Sequence, residues 1–145
     1  MKLSIETDEK LPETEVLIRC AAVDEHIASI VAALRMHDQR IVGKDNGEMA
    51  AVAAGDVLYF ETVDRRTFAY MASAVLEVPF SIAELDERLA DSTFERCAKG
   101  CLINLCRVKS LRPYVGGRLL ARLDNDEEIV ISRRYAKDIK KRLGA

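Results

Sequence analysis

Histidine is scarce in this chain, tryptophan is missing, and no two cysteines stand as a Cys-x-x-Cys pair. The two histidines, His26 and His37, lie in the first third, far from Cys97, Cys101 and Cys106, so the paired soft ligands of a zinc site are not assembled. All four thiols, Cys20 included, are expected to stay reduced and buried as small hydrophobes. No apolar run nears the ~20 residues that span a bilayer. The N-terminus turns acidic where a secretion signal would be apolar, and a cytoplasmic protein is expected. Val115-Gly116-Gly117-Arg118 lacks the strand–loop–helix setting and the lysine of a phosphate-binding loop. Nothing assembles a catalytic set, so the chain is not read as an enzyme and no cofactor is expected. Helix-turn-helix, zinc-finger and aromatic ribonucleoprotein signatures are missing too.

What the chain does have is a divided charge. Its 145 residues carry a net charge of −2. Residues 1–90 hold 9 Lys+Arg against 17 Asp+Glu, and residues 91–145 hold 13 against 7, so a −8 body precedes a +6 end. Such asymmetry fits a basic working surface on an acidic body, and it equally fits ordinary solvated charge. With 49% hydrophobic residues there is enough apolar material for a real core.

The patterning predicts an α+β fold. Residues 2–7 (KLSIET) and 15–21 (EVLIRCA) alternate as strands, with Pro12 between them. Asp24 caps a helix to about Met36, whose stripe of Ile27, Ile30, Val31 and Leu34 should pack on those strands. Residues 40–44 and 48–52 flank Asp45-Asn46-Gly47, a hairpin signal. This β-β-α-β extension, residues 1–53, precedes a mostly β unit, residues 54–145, of short sheets with two helices. Strands are expected from Val57 to Phe60, Thr67 to Met71, Ala74 to Val78, at Phe94, at Leu102–Leu105, and from Val108, Arg118 and Glu128 onward. Ser81 with Glu84 makes a capping box, with Ile82, Leu85 and Leu89 inward. Ser132 caps a last helix with Tyr135, Ile139 and Leu143 on one face, and Gly144 suits its C-terminal end.

Cationic residues sit at the turns of this β unit. Arg65 and Arg66 lie at a strand–strand turn, Arg96 and Lys99 flank Cys97-Ala98, and Arg133 and Arg134 follow the last strand. Arginine can donate two hydrogen bonds to a guanine edge, and either cation can neutralise a phosphate. Any one pair is also what a solvated loop looks like.

From about Asp56 to Leu143 the sequence resembles the LytTR-type DNA-binding domains of bacterial transcription regulators. The carriers are Asp56-Val57-Leu58-Tyr59-Phe60-Glu61-Thr62-Val63-Asp64, Phe94-x-Arg96, Leu102-Ile103-Asn104-Leu105, Val108-x-x-Leu111, Gly117-Arg118-Leu119 and Ile131-Ser132-Arg133-Arg134-Tyr135, in that order. The resemblance implies an elongated fold of short sheets that enters the groove of duplex DNA with loops, on direct repeats in promoters, often as a homodimer. It places contacts at Arg65, Arg66 and Thr67, at Lys99, and at Arg133 or Arg134. Asn104 is read as structural, because a buried amide must find partners. Ala98-Lys99-Gly100-Cys101 departs from the polar segment usual before the Leu-Ile-Asn-Leu stretch, so one contact is expected to be lost there.

Residues 1–53 are too short for the receiver domain of many family members. The layout resembles stand-alone members that carry a short α+β extension and are often encoded beside small membrane proteins. The acidic extension is expected either to mediate dimerisation or contact such a partner, or simply to cover a sheet edge. The competing functional class is a protein-interaction module, an anti-regulator that acts on a membrane or regulator partner without touching DNA. A small-molecule sensor would need a ligand-specific feature, and the sequence offers none.

Overall fold

A computed structural model describes residues 1–144. Asn46 and Gly47 both take positive φ, 51° and 86°, as a two-residue hairpin turn requires, and join β1 (Arg40–Asp45) to β2 (Glu48–Ala53). A second tight turn joins β3 (Tyr59–Val63) to β4 (Arg66–Tyr70) through Asp64 and Arg65, at φ 52° and 67° without a glycine. With β5 (Val75–Val78), β6 (Phe94–Ala98) and β7 (Cys101–Asn104) these strands build an antiparallel sheet ordered β2-β1-β5-β4-β3-β7-β6. A smaller sheet, β10-β9-β8, comes from β8 (Val108–Tyr114), β9 (Arg118–Leu123) and β10 (Glu128–Ile131).

Three helices complete the α+β fold: α1 (Glu25–Asp38), α2 (Ile82–Arg88) and α3 (Arg133–Arg142). Asp24 caps α1, its carboxylate accepting from the Ile27 amide at 2.9 Å. The Ser81–Glu84 capping box forms in both directions, and Ile82, Leu85 and Leu89 are buried as the spacing predicts. Gly144 takes φ 78° at the end of α3 and donates to the Lys141 carbonyl. Ser132 stands at the start of α3, but its hydroxyl makes no capping bond. Leu143 is exposed, and the buried face of α3 is Ala136 and Ile139.

Alternate residues of the central strands feed two cores. Phe60 and Leu102 join Met36, Leu76, Leu85 and Phe94 on the α2 side. Tyr59 and Ile103 join Leu119, Leu123, Ile131 and Ile139 on the side of the small sheet and α3. That sandwich explains why Cys101 to Ile103 is apolar without a break: a strand covered on both faces has no solvent side. Asn104 ends β7 and is fully enclosed. Its Nδ2 donates to the Val57 carbonyl at 2.9 Å, and its Oδ1 accepts from Thr93 Oγ1 at 2.7 Å and from the Cys106 amide at 3.2 Å. The structural reading of Asn104 therefore holds.

The N-terminal region departs from expectation. Residues 2–7 and 15–21 form no strand. With no strands beneath it, the stripe of Ile27, Ile30 and Val31 is only half-buried and Leu34 is exposed; α1 docks instead through Ala32 and Met36. The β1–β2 hairpin continues the main sheet by pairing with β5. Gly43 permits that junction, since a Cβ there would lie 2.7 Å from the Glu77 carbonyl oxygen. Two of the four thiols are also misplaced by the sequence reading. Cys97 and Cys101 are buried, but Cys20 and Cys106 are exposed. The Cys101 thiol is pushed up by its hydrogen bond with Cys97 and by burial, so it stays protonated.

Candidate nucleic-acid interface

The turns that carry the cationic residues are drawn together by main-chain hydrogen bonds. Lys99 and Gly100 form the turn between β6 and β7, closed by Ala98 opposite Cys101. Because β3 lies beside β7, the β3–β4 tip is at the same end of the sheet: the Thr62 amide donates to the Gly100 carbonyl at 2.9 Å. On the other side, the Ser132 amide donates to the Cys97 carbonyl at 2.8 Å, which sets the start of α3 against β6 just before the Lys99 turn. Arg65, Lys99 and the Arg133-Arg134 pair thus converge from three distant stretches of sequence. The first-turn amides of α3 have no partner within the helix and carry the positive end of its dipole, a setting that suits phosphate oxygens.

Arg65, Lys99, Arg133 and Arg134 are all exposed. Among the described residues none of them is ion-paired, whereas Arg107, Lys109, Arg112, Arg122 and Arg142 all are. Arg134 lies over the Tyr135 ring, 5.4 Å from its centroid. Arg96 braces the Lys99 turn from within, donating to the Lys99 carbonyl at 2.9 Å while its Nε is buried without a partner.

Two of the expected contacts are otherwise engaged. Arg66 is held by a two-pronged bond to Glu77, Nε to Oε1 at 2.9 Å and Nη2 to Oε2 at 2.7 Å, and it lies over the Phe68 ring. That bond keeps the Glu77 carboxyl below its ordinary range. Thr67 is only 6% exposed, with its hydroxyl 3.3 Å from that of Thr62. It faces into the sheet because β4 alternates Arg66 out and Thr67 in, so it secures the hairpin and presents nothing to a ligand.

A fourth turn, between β8 and β9, joins this end and was read in the sequence only as a chain reversal. Gly116 and Gly117 both take φ 76°, and the Arg133 side chain lies against Gly117, where a Cβ would come within 3.0 Å of it. Arg118 stacks over Tyr114, 4.9 Å from the ring centroid, and its Nε donates to the Val115 carbonyl at 2.8 Å. The available signal was the flanking of Gly116-Gly117 by an aromatic and an arginine.

Several known proteins are similar to this chain. An HTH-type transcriptional regulator of Staphylococcus aureus strain MSSA476 is 26% identical over 145 residues, covering 99% of this chain and 98% of that protein. The transcriptional regulatory protein YpdB of Escherichia coli K12 is 29% identical over 86 residues, 59% of this chain and 35% of its own length. The solved LytTr DNA-binding domain from Bacillus cereus shares the fold, with a TM-score of 0.70 at 24% identity over 74% of this chain and 99% of that domain. The staphylococcal protein's name refers to a helix-turn-helix, but here strands separate all three described helices. No described helix is long and apolar enough to cross a membrane. The family model of the LytTr DNA-binding domain matches residues 47–144, about two-thirds of the sequence, and the chain belongs to that family.

Proposed function

We propose that this DNA-binding regulator recognises specific duplex sequences, reading promoter direct repeats with the basic turns of its β domain as a cytoplasmic homodimer. One observation carries the reading. Four unpaired cationic side chains, Arg65, Lys99, Arg133 and Arg134, meet at one end of the fold, fixed by the Thr62–Gly100 and Ser132–Cys97 backbone bonds. Hydrogen bonds from Arg65, Arg133 or Arg134 to base edges would supply sequence discrimination, while Lys99 and the α3 amides would neutralise phosphates. Arg66 and Thr67 support the first turn rather than touch DNA. The unit that performs this reading is residues 54–145, with residues 1–53 acting as an extension that contacts a partner. A mobility-shift titration against the chain's own upstream region tests the proposal. Tight binding that weakens steeply with salt is expected; binding no tighter than to random duplex of equal length would refute sequence recognition.

A further inference from the structure

Residues 1–23 carry two alternating runs and pair with nothing in their own chain. All but Ile18 are exposed, Leu17 at 84%, and the only backbone-to-backbone hydrogen bond in the stretch is Leu11 to Asp8. Val16-Leu17-Ile18 is apolar in consecutive positions, hence on both faces of any strand it forms, which is the pattern of a strand covered on both sides. The tail is tethered to an overhang. Six of the first seven residues of α1 run before its first buried residue is closer than Ala32, and Glu25, His26, Ala28 and Ser29 are exposed.

The sheets offer one unguarded edge that matches. At the far side of the main sheet, β6 is covered by α3, with the Ser132 amide and Arg142 donating to the Cys97 and Phe94 carbonyls. In the small sheet, the β8 edge carries Lys109, Arg112 and Pro113, residues that block strand addition. By contrast β2 pairs only with β1, holds a single charge at Glu48, and leaves Met49 76% exposed on its outer face.

We propose that residues 15–21 of one copy add as a strand to the β2 edge of a second copy, reciprocally, so that the tail builds a strand-exchanged homodimer. The added strand would satisfy the open backbone groups of Glu48–Ala53 and place Leu17 or its neighbours beside Met49. The exchange is isologous, as a twofold dimer demands. Because α1 carries the tail away from its own β2, the second copy is the occupant. This deepens the dimeric reading above and rests on it, but not on the DNA contacts.

The test is sedimentation of the full chain without DNA, together with hydrogen exchange at residues 15–21 and 48–53 at high and low concentration. A dimer is expected, with protection of both segments lost on dilution. Leu17→Asp, a change at an exposed site of the single chain, should weaken the dimer by more than about tenfold, and Met49→Asp should do the same from the other partner. Either variant should leave binding to a single half-site unchanged. A chain that stays monomeric, a dimer indifferent to both variants, or protection that does not depend on concentration (the tail folded onto its own β2) overturns the proposal. A wild-type dimer that ignores specific duplex would instead sink the DNA reading and leave this one standing.

Discussion

Replacing Asn104 by alanine should be the most damaging single change at a position that never touches a ligand. The side chain bonds three separate stretches: Val57 before β3, Thr93 before β6, and the Cys106 amide after β7. Its second carbonyl partner, Gly55, is 3.4 Å away and already accepts from Arg107 Nε at 2.9 Å, so it does not count towards the loss. Two enclosed groups, the Val57 carbonyl and the Thr93 hydroxyl, are left short of a partner. At about 1–1.5 kcal/mol each, with a further contribution from the space vacated, the loss should be about 2–4 kcal/mol. Urea unfolding reads this as a midpoint lowered by about 1–2 M at an ordinary slope. The double variant Thr93→Ala/Asn104→Ala should be less destabilised than the sum of the singles, because the hydroxyl is no longer stranded. A loss below about 0.5 kcal/mol for Asn104→Ala, a size typical of surface changes, would show that the amide network does not hold these stretches together.

Arg134→Ala should weaken specific binding by about 1–3 kcal/mol if that side chain reads a guanine, and unchanged affinity in a mobility-shift titration would remove it from the interface. Lys99→Ala should weaken all duplexes alike and lessen the slope of log affinity on log salt by about one, which a salt titration measures. Gly43→Ala should destabilise by about 1–3 kcal/mol, since its new methyl would press on the Glu77 carbonyl; unfolding unchanged in urea would contradict the tight β1–β5 junction. The Glu77 carboxyl titrates below its ordinary range in the fold, so its bond to Arg66 contributes above the unfolded value and is lost as pH falls through the lowered one. Thermal unfolding from pH 7 down to about 3 should show that loss in the wild type, and Glu77→Gln should abolish that part of the pH dependence.

Local chemistry was legible wherever a residue answers to its immediate neighbours. Asn46-Gly47 announced its turn, and Ser81 with Glu84 announced a helix start. The role of Asn104 followed from an amide set in an apolar run. Pairing between distant stretches was not legible. Nothing near Thr62 indicates that its amide meets Gly100, and without that bond the cationic turns are only solvated loops. Thr67 was assigned to the contact set because it adjoins two arginines, although the alternation of β4 (Arg66, Thr67, Phe68, Ala69) already turns it inward. The misreading of residues 2–7 and 15–21 has a different cause: alternation reports what a strand needs, not whether its own chain supplies a partner edge.

The bonds that gather the cationic turns run from main chain to main chain, Thr62 to Gly100 and Ser132 to Cys97. They therefore survive any change of side chain at Arg65, Lys99, Arg133 or Arg134. The spacing of the reading heads behaves as a fixed typeface frame in which individual letters can be exchanged. A regulator built this way can drift to new target sequences by single substitutions at the tips, while the span of duplex it covers stays constant.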